Sequence, residues 1–163
     1  ATTVALMSKE TESVWDYPRP PRLEHSSEHV IVTHRGVVIA DTTESIRILE
    51  TSHPPTYYLP MTEVNPDVLQ AVAGTTFCEF KGVASYADIV VAGDRIPRAA
   101  WWYDNPTQGF EDLSGYLSLY PGRLESCTID GETVTAQEGD FYGGWITSRI
   151  TGPFKGAPGT LGW

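Results

Sequence analysis

Residues 29–50 read HVIVTHRGVVIADTTESIRILE and contain three runs with the composition of β-strands. The first two, residues 29–33 and 37–40, are rich in Val and Ile and are separated by a short turn. Gly36 stands in that turn, where a tight hairpin needs a residue with positive φ. The third run, residues 45–50, alternates between apolar and polar side chains. These runs predict a hairpin followed by a third strand.

The rest of the chain continues this pattern of short elements. Strands are predicted at residues 75–81, 87–92, 99–103 and 145–150, a second hairpin at residues 126–137, and a strand or a short helix at residues 113–120. Asn65 and Pro66 predict the start of a helix over residues 65–72, with Gly74 ending it. We therefore expect a mainly β (α+β) fold, a compact single domain of short antiparallel strands with one short helix.

We assign residues 28–163 to this domain and residues 1–27 to an extended N-terminal arm. Residues 13–22 of the arm, SVWDYPRPPR, carry two aromatic rings and three prolines, which favour an extended chain. Trp15 and Tyr17 in such an arm pack either onto the domain or onto a partner subunit. The second alternative would make the protein a homodimer.

The charge balance argues against two classes of partner. Eleven Lys and Arg residues stand against 21 Asp and Glu residues, which gives a formal net charge of −10. Because a negative surface repels phosphate backbones and anionic lipids, we expect neither a nucleic acid nor a membrane as partner. Residues 1–12 show no secretory signal, so we expect a cytoplasmic protein in which Cys78 and Cys127 are reduced.

Titratable and aromatic side chains are concentrated in the segment Glu50–Pro60, ETSHPPTYYLP. Its prolines hold the backbone extended, and a stiff loop with such side chains is suited to binding or catalysis. His53 is either a general base or a side chain that bonds to its own loop. Glu50 is either an acid/base group or an acceptor for backbone N–H groups. Of Tyr57 and Tyr58, strand alternation sends one ring into the core.

A second group of reactive side chains occupies residues 77–86, FCEFKGVASY. Cys78 is either a nucleophile activated by a nearby cation or imidazole, or a buried structural thiol. Glu79 and Lys81 are either site residues or members of a solvated face. Further along, residues 99–103, AAWWY, supply three rings that divide between the core and the wall of a pocket.

Motifs for nucleotides and metals are missing from the sequence. Gly143-Gly144 lacks the GxGxxG spacing, and there is no GxxxxGK[ST], HExxH or HxH pattern. The four histidines are dispersed, and two cysteines are too few for a zinc site made of cysteine alone. We therefore expect no cofactor and no metal.

Several motifs resemble those of domain of unknown function family 427 (DUF427). They are residues 38–41 (VIAD), 50–60, 78–86 and 100–103 (AWWY), while the tail 141–147 (FYGGWIT) and the arm resemble a longer branch of the family. The resemblance implies a compact β-rich fold. It also implies a role for Glu50, Tyr57, Tyr58, Cys78, Lys81, Tyr86, Trp101 and Tyr103. The family has been labelled nucleotidyltransferase-like, whereas this chain lacks the Gly-Ser and paired-Asp pattern of such enzymes.

Two functions are open on these residues. The first is an enzyme that acts on a small polar or anionic molecule, with Glu50, Lys81 and Cys78 as catalytic residues. Its ligand-binding residues would be Arg47, His53, Tyr57, Tyr58, Glu79, Tyr86, Trp101 and Tyr103. Strand alternation places Arg47 on the face opposite Glu50. The second function is a non-catalytic module that binds a small ligand or a second copy of the chain.

Overall fold

The structure is a computed structural model that describes residues 11–139 and 142–163. Its strands are β1 (Glu12–Ser13), β2 (Arg22–Ser26), β3 (Val30–His34), β4 (Val37–Thr42), β5 (Ser45–Leu49), β6 (Thr56–Pro60), β7 (Leu69–Cys78), β8 (Gly82–Val91), β9 (Asp94–Tyr103), β10 (Tyr116–Leu119), β11 (Ser126–Ile129), β12 (Glu132–Thr133), β13 (Thr135–Ala136), β14 (Trp145–Ile146) and β15 (Ile150–Thr151). Residues 1–10 of the predicted arm and Phe141 of the tail motif lie outside the described residues. Within the described ranges, no helix is long and apolar enough to cross a membrane.

Two antiparallel sheets dominate the fold. The larger sheet has the order β2-β5-β6-β10-β9-β8-β7, and the smaller sheet has the order β12-β11-β3-β4. Two short pairs, parallel β1-β15 and antiparallel β13-β14, complete the pairing of the described strands. The prediction of a mainly β, compact single domain of antiparallel strands is confirmed.

The predicted hairpin at residues 29–40 is confirmed. β3 pairs with β4, and the turn between them has positive φ at Arg35 (51°) and Gly36 (76°). β5 is the predicted third strand and pairs with both β2 and β6. The strands predicted between residues 75 and 103 correspond to β7, β8 and β9, each of which has ten residues and begins before its predicted start. β7 and β8 end at Cys78 and Val91, before their predicted ends at residues 81 and 92.

The second predicted hairpin is only partly correct. β11 and β12 pair across a turn with positive φ at Asp130 and Gly131. Residues 135–136 then leave this hairpin and pair, as β13, with β14. The strand predicted at residues 145–150 is split between β14 and β15. Residues 113–120 contain both predicted alternatives, the end of a 3-10 turn and strand β10.

The helix predicted over residues 65–72 is wrong. Asn65 accepts a hydrogen bond from the Asp67 backbone N–H at 3.0 Å, but the helix is a 3-10 turn of three residues, Pro66–Val68. Leu69 then begins β7, because pairing with β8 overrides the local helical signal. Gly74, with a φ of 96°, lies at a β-bulge in β7 and does not end a helix. The other described helical segments are also three-residue 3-10 turns: Val14–Asp16, Met61–Glu63, Glu111–Leu113 and Pro121–Arg123.

Apolar side chains cover both faces of the larger sheet. The main core lies between the two sheets and includes Val30, Ile39, Tyr57, Leu59, Ile89 and Leu117. A second cluster lies on the other face of the larger sheet and includes Ile46, Ile48, Tyr58, Ala84, Trp101 and Tyr103. Alternation along β6 separates Tyr57 from Tyr58 in this way. The second cluster forms the floor of the candidate site.

The described part of the arm packs onto its own chain. Tyr17 is buried, while Trp15 Nε1 donates to the carbonyl of Pro153 at 2.8 Å and the Trp15 ring meets the Trp163 ring edge-on at 5.3 Å. β2, which falls within the predicted arm, forms one edge of the larger sheet. Trp15 and Tyr17 thus take the first of the two predicted alternatives. The division of the chain at residue 27 stays a prediction.

Candidate functional site

A cavity of about 260 Å³ lies on the face of the larger sheet that carries the second cluster. All the predicted site residues except Arg47 and Tyr57 line it, namely Glu50, His53, Tyr58, Cys78, Glu79, Lys81, Tyr86, Trp101 and Tyr103. The two segments that are rich in reactive side chains, residues 50–60 and 77–86, therefore meet at one place.

Cross-strand register explains why distant residues meet. Tyr58 lies opposite Ser118, Ser118 lies opposite Trp101, and Trp101 lies opposite Tyr86. Residues directly opposite each other in antiparallel strands point to the same face. The four side chains therefore form one row across β6, β10, β9 and β8, and three of them, Tyr58, Trp101 and Tyr86, line the cavity.

An aromatic wall of the cavity consists of Tyr58, Trp101, Tyr103 and Tyr120. Ring contacts and a buried hydrogen bond hold these side chains together. Trp101 Nε1 donates to the Tyr58 hydroxyl at 3.2 Å, and the Trp101 ring packs 4.4 Å from the ring of Tyr120, centroid to centroid. Burial raises the pKa of Tyr58, and the hydrogen bond from Trp101 offsets part of that rise. Burial also raises the pKa of Tyr103. Both phenols are therefore neutral at neutral pH.

Lys81 places a positive charge beside this wall. Its Nζ lies 5.9 Å from the ring centroid of Tyr58 and 5.8 Å from that of Tyr103, which is within the range of a cation–π contact. The side chain is half-buried and makes no ion pair with any residue of the described ranges. The backbone carbonyl of Lys81 accepts a hydrogen bond from Thr107 N at 3.1 Å, which anchors the segment.

Glu50 is paired with a cation from the arm. Arg19 Nε lies 3.1 Å from Glu50 Oε2, and Arg19 Nη2 donates to the Thr51 carbonyl at 3.2 Å. The Glu50 charge is therefore compensated within the chain, whereas the described residues supply no counter-ion for Lys81. Sequence reasoning missed Arg19, because nothing in the Pro-rich arm indicated which carboxylate it would meet.

His53 makes a hydrogen bond within its own loop, one of the two alternatives that the sequence left open. Its Nδ1 lies 3.0 Å from the Thr51 carbonyl. Because a carbonyl can only accept, Nδ1 carries the proton and Nε2 keeps a lone pair. Burial lowers the pKa of His53, and the Glu50 carboxylate, 3.9 Å from Nδ1, offsets part of that effect. A neutral imidazole with one basic nitrogen is therefore present at pH 7.

Cys78 and Glu79 lie at the end of β7, on the rim of the cavity. The Cys78 thiol is free and half-buried against the second cluster, while Glu79 is exposed. Cys127 differs, because it is deep in the main core and burial raises the pKa of its thiol to about 12. Tyr86 shares a hydrogen bond of 2.7 Å with Thr76 across the hairpin. Within residues 11–139 and 142–163, no group of three or more His, Cys, Asp or Glu side chains is placed to hold a metal ion.

The tail contributes lining residues that sequence reasoning missed, Tyr142 and Lys155. Lys155 Nζ lies 5.3 Å from the Tyr142 ring centroid and 3.4 Å from the backbone oxygen of Trp163. The signal that could have revealed this contact is Gly143-Gly144. A Cβ at Gly143 would lie 2.6 Å from the Trp101 ring, so only glycine allows the tail to approach the aromatic wall this closely.

Arg47 and Tyr57, which the sequence predicted as ligand-binding residues, do not line this cavity. Arg47 is fully buried on the opposite strand face and donates to Glu12 and Glu24, at 2.7 Å each. Tyr57 belongs to the main core and its hydroxyl donates to Glu28 at 2.8 Å. Strand alternation is the physical reason, because adjacent residues of β5 and β6 point to opposite faces of the sheet.

Comparison with known proteins identifies the family to which the chain belongs. No curated protein matches the chain. A family model described as "Domain of unknown function (DUF427)" matches residues 22–130. The matched region contains both reactive segments and strand β9, and thus the predicted lining residues, whereas Tyr142 and Lys155 lie beyond it. The chain therefore belongs to the DUF427 family, as its motifs predicted.

Proposed function

We propose that the cavity binds a small anionic molecule that has a planar apolar part. The position of Lys81 carries this proposal. Its ammonium is held beside two ring faces and has no counter-ion among the described residues, although partly buried charges are normally paired. A ligand carboxylate or phosphate would supply the missing negative charge through a charge-assisted hydrogen bond.

The walls of the cavity support the same class of ligand. A volume of about 260 Å³ lies just below the usual range for drug-sized ligands, about 300–1,000 Å³, and so favours a small molecule. Trp101, Tyr103 and Tyr120 offer flat apolar surfaces for a planar group. Lys155 brings a second positive charge, while Glu79 at the rim disfavours large polyanions.

Binding of benzoate and phenyl phosphate, followed by two-dimensional NMR, tests the proposal. Both should perturb the resonances of Lys81 and Trp101, whereas benzylamine, a cation of similar size, should not. Lys81→Met should weaken binding of both anions by about tenfold, the loss of one charge-assisted hydrogen bond. Arg35→Met removes the same charge outside the cavity and should leave binding unchanged. Equal binding of benzylamine, or unchanged anion binding by Lys81→Met, would contradict the proposal.

A reaction that transfers a proton is the second candidate function, and it is favoured by His53. Its Nε2 is a free base at neutral pH, because Nδ1 donates to Thr51 and burial lowers the pKa. Nε2 would accept a proton from an acidic C–H or O–H of the ligand, and Lys81 would stabilise the negative charge left on the ligand. Glu50 would balance the imidazolium that forms, since its carboxylate lies 3.9 Å from Nδ1.

Exchange of the acidic C–H of phenylpyruvate in D₂O, followed by proton NMR, tests this reaction. The native protein should accelerate exchange over buffer, His53→Gln should abolish the acceleration, and His25→Gln, at an exposed histidine bonded to Asp112, should retain it. Acceleration that survives His53→Gln would reject His53 as the base. The predicted nucleophilic role of Cys78 is tested separately by its rate of alkylation at neutral pH, compared with a free thiol.

A further inference from the structure

We propose that the outer edge of β7 is a homodimer interface, a role that goes beyond the ligand site. β7 is the last strand of the larger sheet, and no strand of the described residues pairs with its outer edge. A ten-residue strand in this position presents a row of backbone N–H and C=O groups. Such a row is a template for one more strand.

The two edges of the larger sheet differ in how they are protected. β2 is short and carries charged or titratable side chains at Arg22, Glu24 and His25, which discourage pairing with another chain. β7, with the sequence LQAVAGTTFC, has neither a charged residue nor a proline, and most of its side chains are exposed. Its single irregularity is the bulge between Val72 and Thr76. β7 therefore lacks two of the features that normally keep an edge strand unpaired, a charge and a proline, while at the bulge Arg98 Nη1 donates to the Ala73 carbonyl at 3.2 Å.

Exposed apolar groups lie beside this edge. Phe77 and Val83 face each other across the β7–β8 hairpin and are 74% and 51% exposed. At the other end of β7, a groove of about 380 Å³ is lined by Leu69, Ala71 and Trp102. Leu69 pairs with Ile89 and Phe77 pairs with Val83, so the bulge preserves alternation and both ends of β7 present these residues on the same face.

A second copy of this chain fits these features better than a foreign strand. A two-fold axis requires complementary features at opposite ends of one strand, and the exposed ring of Phe77 and the apolar groove are such a pair. Antiparallel pairing that sets Phe77 opposite Leu69 of the second copy brings each ring to the other copy's groove. Two chains that each carry a net charge of −10 repel each other, and the uncharged β7 is a surface where this repulsion is small.

Sedimentation velocity over a range of concentrations tests the dimer. The native chain should sediment as a dimer of twice 17.9 kDa. Thr75→Lys adds a charge on the exposed edge, opposite Ala71 of the second copy in this register, and should give a monomer. Thr133→Lys makes the same change on an exposed residue of β12, the edge of the smaller sheet, and should leave the dimer intact.

Phe77→Ser provides a second variant that keeps the edge uncharged. It should weaken dimerisation by roughly a hundredfold, since each dimer loses two buried rings. Far-UV circular dichroism checks that each variant is folded. In the native chain, but not in Thr75→Lys or Phe77→Ser, amide exchange in β7 should become slower as the protein concentration rises. A native protein that stays monomeric at high micromolar concentration would overturn the proposal. So would a dimer that Thr75→Lys and Phe77→Ser both leave unaffected.

Discussion

Arg47 and Lys81 are cations on opposite faces of the larger sheet, and their surroundings differ in what neutralises them. Arg47 is fully buried and donates to Glu12 and Glu24 at 2.7 Å each. Lys81 is half-buried over two tyrosine rings and makes no ion pair within the described ranges. Arg47 is neutralised by its own chain and is therefore structural. Lys81, which has no counter-ion among the described residues, is the cation that we propose binds the ligand.

The largest effect is expected from Arg47→Met. This change leaves Glu12 with Arg149 and Glu24 with Arg22 as remaining cations, and removing one partner of a buried ion pair costs about 3–5 kcal/mol. Because both carboxylates are partly exposed, we expect the lower end of that range. The free energy of unfolding in urea measures it. Arg95→Met breaks a pair with Asp88 in which the arginine is 49% exposed, and should cost less than about 1 kcal/mol. Equal losses of unfolding free energy in Arg47→Met and Arg95→Met would show that Arg47 stabilises the fold no more than a surface cation does.

Low pH should lower the free energy of unfolding within a defined pH window, because Glu12 loses the charge that pairs with Arg47. Burial alone would raise the pKa of Glu12, but hydrogen bonds from Arg47 and Tyr17 outweigh it and lower the pKa from 4.5 to about 2. A carboxylate with a lowered pKa stabilises the fold above its unfolded pKa, so this stability is present above about pH 4.5 and is lost as the pH falls toward 2. After solvent screening is allowed for, we expect about 1–2 kcal/mol.

Unfolding in urea between pH 7 and pH 2.5 checks this expectation. Glu12→Gln should be less stable than the native chain at pH 7, and the difference should shrink as the pH falls. Glu63→Gln, at an exposed residue, should follow the native curve throughout. A constant difference between Glu12→Gln and the native chain across this range would show that the Glu12 charge does not stabilise the arm.

The smallest effect on stability is expected from Lys81→Met. It removes cation–π contacts worth about 0.5–1 kcal/mol at an exposed site and leaves no carboxylate of residues 11–139 and 142–163 unpaired. The free energy of unfolding should therefore change by less than about 1 kcal/mol, while anion binding weakens by about tenfold. A stability loss as large as that of Arg47→Met would show that Lys81 is structural and would remove the contrast between the two sites.

Strand alternation was sufficient to separate Arg47 from the site, although composition favoured including it. Residues 45–50 place Arg47 and Glu50 on opposite faces, and the structure confirms that separation. The same rule divides Tyr57 from Tyr58, but it does not say which of the two faces the cavity. That choice depends on the smaller sheet, which covers the Tyr57 face. Local periodicity therefore predicts which residues share a face, and packing selects the face that stays open.

The β-rich class, the first hairpin and the two segments that carry the reactive side chains were predictable from the sequence alone. These features depend on neighbours in the chain: alternation, turn glycines and prolines. Contacts between distant parts of the chain explain why the helical signal at Asn65 yields to β7 and why Arg19 reaches Glu50. The row from Tyr58 to Tyr86 likewise could not be predicted, because it depends on the register of strands far apart in the chain.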